Sequence, residues 1–176
     1  MLYAIRLLFE RSPRLFWCLV ALVLTVMLAF GLYLQHVVGL DPCPMCIVQR
    51  YAMLVVILWS TIAIVFPTHL IHRLSVVLTL GSSAFGAFVA ARQSWLQWFP
   101  PEVQSCGRDF YGMIESFPLQ RAIPMIFRGG GDCTKVDWTF LGGSIANWSF
   151  VVFSFLIVAM SLQLFFIFKK PTIPST

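Results

Sequence analysis

Charge is what this chain has least of. Only 11% of its 176 residues are Asp, Glu, Lys or Arg, against roughly 25% in a soluble domain, and 59% are hydrophobic. That shortage excludes a water-soluble globule and marks a membrane protein. The length leaves room for one compact bundle and no second large domain. No internal repeat is present. The net charge of +5 is no nucleic-acid signal, because six of the twelve basic residues flank apolar runs, where they report topology. Two metal or cofactor motifs are also missing. The chain has no second C-x-x-C and no H-x-H knuckle of the kind structural zinc sites pair. Residue 47 is Ile, whereas haem attachment requires C-x-x-C-H.

What is there is four apolar runs. Residues 15–34 carry no charge over the length of a helix that crosses roughly 30 Å of bilayer. This run is too long for a signal peptide and lacks a small-residue cleavage site, so a retained first span is expected. Further spans are expected at 47–66, 74–91 and 148–168. The third is rich in Gly, Ala and Ser, which lets helix backbones approach closely in lipid and predicts an inner position. Arg92 and Gln93 end it, and Trp95, Trp98 and Phe99 follow as interface residues. His69 and His72, in the short basic turn between spans two and three, are read as interfacial residues rather than ligands. Cys18, inside the first run, is read as a small hydrophobe. The expected fold is an all-α membrane protein, a single integral-membrane domain over 1–176 built as a four-helix transmembrane bundle. Its outer connections are 35–46 and 92–147. In the longer one, Phe110, Met113, Ile114 and Phe117 recur at helical spacing and form either a short helix lying on the bilayer or a hydrophobic lid. Gly129-Gly-Gly-Asp-Cys133 puts a cysteine behind three glycines, a flexible setting. The tail 171–176 is expected to be disordered.

The chain is organised around Asp41-Pro-Cys-Pro-Met-Cys46 and the Arg50 that follows. Asp41 is a good N-cap and Pro42 a good first helical residue. That reading puts both cysteines in the first turn, where the helix macrodipole favours an anion. Cys43 and Cys46 stand at i, i+3 and Cys46 and Arg50 at i, i+4, so the three share a face. A helix N-terminus, a nearby Arg and C-x-x-C spacing each lower a thiol pKa, and the thiolate is the reactive form. A structural disulfide or half a zinc site are the bland alternatives; neither needs Pro44 or Arg50.

Four spans put both termini on one side, together with Arg6, Arg11, Arg14, Arg73, Lys169 and Lys170. The first outer loop has no Lys or Arg, and the second balances its basic residues with acidic ones. The terminal side is therefore cytoplasmic. Cys43, Cys46, Cys106 and Cys133 then face the periplasm, where disulfides persist. Two functions fit an even set of outward cysteines. One is a non-enzymatic scaffold stapled by two disulfides. The other is a dithiol relay, in which thiolate attack passes a disulfide from a pair on the long loop to a pair at the membrane surface. Only the relay uses Arg50 and the glycine hinge. The pairing itself is open, since four cysteines allow three connectivities.

These features resemble, along nearly the whole chain, the DsbB family of quinone-dependent disulfide-generating membrane proteins. The likeness runs through Gln35-His36, Pro42-Cys-x-x-Cys46, Arg50, Leu96-Gln97, Gly131-Asp132-Cys133 and Trp138-x-Phe-Leu-Gly142. It implies a thiol oxidase of the bacterial inner membrane. The enzyme would reoxidise a periplasmic DsbA-like partner and deliver the electrons to ubiquinone or menaquinone. It also implies resting pairs Cys43–Cys46 and Cys106–Cys133, rearranging to Cys43–Cys133 in turnover. Cys106 would take the partner's attack, and Cys46 would face the quinone with Arg50 donating to a quinone oxygen. A quinone-contacting histidine of some members is here Gln93, which can donate a hydrogen bond but cannot carry a proton as imidazolium.

Overall fold

The computed structural model describes residues 13–100 and 131–169. Helix α1 spans Pro13–His36, α2 Pro44–Val65 and α3 His69–Trp98. A short helix, α4 (Gly131–Thr134), leads through a two-stranded hairpin, β1 (Thr139–Phe140) and β2 (Gly143–Ser144), into α5 (Ile145–Lys169). Helices α1, α2, α3 and α5 are each long and apolar enough to cross a membrane, so the fold is the expected four-span helical bundle. Their outer faces carry side chains such as Val26, Phe88 and Phe155, all more than half exposed. That much apolar surface is a liability in water and is the normal lipid-facing surface of a bundle. Cys18 is on this face, exposed, inside α1.

Helix α3 is the inner one. It packs against both α2 and α5, while α1 packs on α2. The sequence reason is its small residues. At Gly86 a β-carbon would stand 2.5 Å from the Phe153 ring of α5, so only glycine allows this approach. Around that crossing, Trp17, Leu24, Val56, Val76, Phe153 and Met160 form the interior, each at most 1% exposed.

The helix ends differ from the apolar runs. Helix α3 has 30 residues, about 45 Å, and so is longer than the hydrocarbon is thick. It starts at His69 because the Thr68 side chain accepts a hydrogen bond from the Ile71 N–H at 3.3 Å, a cap inside what hydropathy alone reads as a connection. It continues past Arg92 and Gln93 to Trp98, and the chain leaves it just before Pro100, where helical backbone is disfavoured. His72 accepts a hydrogen bond from the Trp17 indole N–H at 3.2 Å, and His69 is exposed.

The hairpin was not foreseen. Thr139 pairs with Ser144 and Phe140 with Gly143. Leu141 and Gly142, at the tip, both have positive φ, 50° and 79°, which is the backbone of a tight primed turn. Gly142 suits it; Leu141 is an unusual occupant. Outside the described residues lie Cys106, the helical pattern at Phe110, Met113, Ile114 and Phe117, the hinge glycines Gly129 and Gly130, and the terminal segments with Arg6, Arg11, Lys170 and the tail.

Candidate functional site

Helix α2 does not start at Asp41. Cys43 is itself the N-cap, with extended backbone and a side chain that accepts from the Cys46 N–H at 3.4 Å, and Pro44 rather than Pro42 opens the helix. The expectation of two cysteines in the first turn is corrected by one position of role. Cys46 is in the turn, and Cys43 caps it with its sulfur. The physical reason is that a thiol can accept from the free N–H groups of the first turn just as a capping oxygen does, and Pro44 fixes the helical φ right behind it.

The two sulfurs are 3.0 Å apart and both thiols are free. Cys133 reaches the same place from α4. It is fully buried in a small cluster with Cys43, Met45, Val89 and Leu96, so the residue behind the glycines is not on an open loop here. Its sulfur is hydrogen-bonded to Cys43, and that bond, a second one with Cys46 and burial push the Cys43 thiol well above its ordinary range.

Gln93 comes in from α3 under both sulfurs. Its amide Nε2 donates to Cys43 Sγ at 3.2 Å and to Cys46 Sγ at 3.1 Å. Behind it, Gln49 Nε2 donates to Gln93 Oε1 at 2.7 Å. Both glutamines are 3% exposed. Gln49 was missed on sequence because it sits between an apolar run and the more conspicuous Arg50. The available signal was an amide inside a span, a costly placement that marks function.

Arg50 is not beneath the thiols. Its guanidinium turns toward α1, donating to the Gln35 side chain and to the Gly31 carbonyl, the latter at 3.1 Å. Cys46 and Arg50 line one cavity of about 340 Å³. Its apolar wall comes from Met27, Leu28, Phe30 and Leu34 of α1 and Ile145 and Val152 of α5; Gln49 and Gln93 stand at its polar end, with Asp41, Lys135 and Asp137 also in the lining. The hairpin covers it. Trp138 stacks on Phe140 and meets Phe30 edge-on. The Trp148 indole N–H donates to the Phe140 carbonyl at 3.0 Å, and Ser144 donates to Gln97 at 2.6 Å. The structure thus brings together Cys43, Cys46, Cys133, Gln93 and, across the cavity wall, Arg50.

Chemically, such a site joins three thiols, two of them buried, to an apolar chamber among membrane helices. The sequence profile of the family "Disulfide bond formation protein DsbB" matches residues 13–163. The chain is 67% identical over 155 residues to the "Disulfide bond formation protein B" of Albidiferax ferrireducens, covering 88% of each chain. It is 64% identical over 154 residues to that of Polaromonas naphthalenivorans, covering 86% of this chain and 91% of the other. With that of Verminephrobacter eiseniae it shares 59% over 147 residues, 84% and 83% of the two chains.

Proposed function

The chain belongs to the DsbB family of disulfide bond formation proteins, and from that membership and the thiol geometry we propose that it is a quinone-reducing thiol oxidase. Membership carries the coarser statement outright: this is a multi-pass membrane oxidoreductase of disulfide bond formation. The finer reading is that it reoxidises a periplasmic DsbA-like dithiol protein and passes the electrons to ubiquinone or menaquinone in the inner membrane. In this reading both termini are cytoplasmic and the active cysteines periplasmic, as the basic-residue asymmetry argues.

One observation carries it. Cys46 lines an apolar cavity among the spans, while Cys43, 3.0 Å away, is hydrogen-bonded to Cys133. One pair thus faces a chamber suited to a lipid-soluble molecule and is also in contact with the long connection. The donor set fits a quinone head group. Arg50 would hold a quinone oxygen, with Met27, Leu28, Phe30 and Val152 against the apolar parts. A quinone supplies, when bound there, a two-electron acceptor that diffuses in the bilayer. Gln93 lines the same chamber, but its N–H groups are engaged by the two sulfurs, so its main work is to favour thiolate there over thiol.

The exchange itself uses the chain's own sulfurs. With Cys106–Cys133 and Cys43–Cys46 as resting pairs, the partner's thiolate attacks Cys106 and releases Cys133. Cys133 is in position to attack Cys43, which forms Cys43–Cys133 and leaves Cys46 as the thiolate. The partner's second thiol then attacks its own sulfur in the mixed disulfide, which leaves the partner oxidised and frees Cys106; Cys106 attacks Cys133, which re-forms Cys106–Cys133 and leaves Cys43 and Cys46 both reduced. Cys43–Cys46 would re-form as those two thiols give up their two electrons and protons to a quinone held in the chamber. Burial of Cys133 and Cys43 keeps water and stray thiols from the exchange between them. The test is anaerobic titration of a Cys106→Ser variant with quinone. It should no longer oxidise the soluble partner, yet Cys43 and Cys46 should still become oxidised. If those two thiols stay reduced, the two-pair reading is wrong.

A further inference from the structure

The amide of Gln93 can face the sulfurs in either of two ways. Turned one way, it offers N–H groups, which stabilise a thiolate; turned the other, it offers a carbonyl oxygen, which repels one. The two orientations fill nearly the same space, so packing alone decides little between them. Water is not at hand to correct a wrong choice, because Gln93 is 3% exposed. Something has to select the orientation.

We propose that Gln49 is a positioning residue that locks the Gln93 amide with its N–H groups toward Cys43 and Cys46. Gln49 is three residues after Cys46 on α2 and as buried as Gln93. Its Nε2 donates to Gln93 Oε1 at 2.7 Å; with that N–H presented it can meet only the oxygen end of the Gln93 amide, so the two amides are set as a pair, each with its nitrogen pointing toward the sulfur side. With the oxygen held there, Nε2 is left to bridge the sulfurs at 3.2 and 3.1 Å. Cys46 Sγ also lies 3.6 Å from Gln93 Oε1, so one fixed amide serves both protonation states. The thiol can donate to the oxygen and the thiolate can accept from the nitrogen. The other ionisable groups around the dithiol do not duplicate this role. Arg50 is engaged with Gln35 and Gly31, Cys133 is against Cys43, and Asp41, Lys135 and Asp137 line the cavity. This inference rests on the thiol-oxidase reading only for its use in turnover.

The test needs neither quinone nor partner. Full-length protein, reduced and in lipid nanodiscs, carries Cys18→Ala so that only the outer thiols react. The alkylation rate of Cys46 is followed against pH by mass spectrometry in this background and with Gln49→Met, Gln93→Met and both. Gln49→Met should slow alkylation at pH 7 by about threefold to tenfold, the worth of one neutral hydrogen bond, and move the profile to higher pH. Gln93→Met should slow it more, by about tenfold or above, since it removes the donor to the charged sulfur itself. The double variant should match Gln93→Met alone, because Gln49 acts only through that amide. Gln49→Leu takes the place of Gln49→Met if the latter is not recovered monodisperse. A Gln49 variant whose profile superposes on that of the background overturns the proposal, as does a double variant slower than Gln93→Met by the full Gln49 factor. A background protein in which Cys46 is no more reactive than glutathione would instead tell against the thiol-oxidase reading.

Discussion

The two ends of the bundle treat polar side chains differently. At the cysteine end they are joined to one another: Gln49 to Gln93, Gln93 to both sulfurs, Arg50 to Gln35 and Gly31, Ser144 to Gln97. In the opposite half of α3 and α5, the buried hydroxyls of Ser75, Thr79 and Ser83 and both amide atoms of Gln163 have no hydrogen-bond partner among the described residues. There, and at the mid-bundle crossing of Gly86 with Phe153, the helices meet through small residues and van der Waals contact. Ser94 is the exception at the cysteine end. Buried hydrogen bonds fix side-chain orientation, and chemistry needs orientation; a close-packed helix pair needs only shape. The comparison predicts that the lower half can be damaged in stability without changing thiol reactivity, and the upper half the reverse.

The largest effect should come from the packed crossing of α3 and α5 at mid-bundle. Phe153→Ala removes a fully buried ring and should lower the stability of the bundle by about 3–5 kcal/mol, read as reversible unfolding in mixed micelles. Gly86 is seven residues from Gln93, about 10 Å along α3, a distance at which effects are usually independent. Alkylation of Cys46 in the folded fraction should therefore be unchanged. A slowed Cys46 would break the comparison by showing that the packed crossing sets the site.

Arg50 should show the converse. A charge this near the hydrocarbon is a functional candidate, and here it bridges α2 to α1 beside the cavity. Arg50→Lys keeps the charge and loses the planar fork, so the apparent quinone KM should rise. Arg50→Met should raise it further, by roughly tenfold to a hundredfold, the worth of one charge-assisted hydrogen bond of about 1.5–3 kcal/mol. It should also slow Cys46 alkylation, since a nearby cation favours the thiolate. Steady-state turnover against quinone concentration measures the first effect and the alkylation rate the second. Unchanged values in both variants would reduce Arg50 to a tie between two helices.

Hydropathy made the four spans legible because each is a long run that only lipid or a core can accept. It did not show where the helices end. Caps decide that, and Thr68 and Cys43 are caps of two unlike chemistries. The C-x-x-C with Arg50 was readable because its spacing is local. Gln93 was noticed through likeness to a family, as a quinone contact, and its place beneath the sulfurs depends on how α3 meets α2, which no local pattern carries. Gln49 needed the same crossing. The hairpin at Thr139–Ser144 was hidden because its turn is Leu141-Gly142, not the Asn-Gly that announces such turns.

The smallest effect expected is at Cys18, and it sharpens the comparison from the side of lipid. Cys18 is a free thiol like Cys43, Cys46 and Cys133, yet it differs from them in every respect that matters for exchange. It lies in the first third of α1, whereas the cavity is lined from α1 by residues from Met27 onward. Nine residues of helix separate Cys18 from Met27, about 13 Å, so its sulfur cannot meet Cys43 or Cys46. It is also exposed on the lipid-facing surface, where Ala is as acceptable as Cys. Cys18→Ala should therefore keep both wild-type turnover and wild-type stability, the latter within about 0.5 kcal/mol. Turnover with a quinone and a reduced DsbA-like partner, alongside the unfolding midpoint, measures both. Lost turnover in a protein that unfolds normally would mean that a thiol in the apolar half takes part in electron transfer, and that the division between the two ends is drawn in the wrong place.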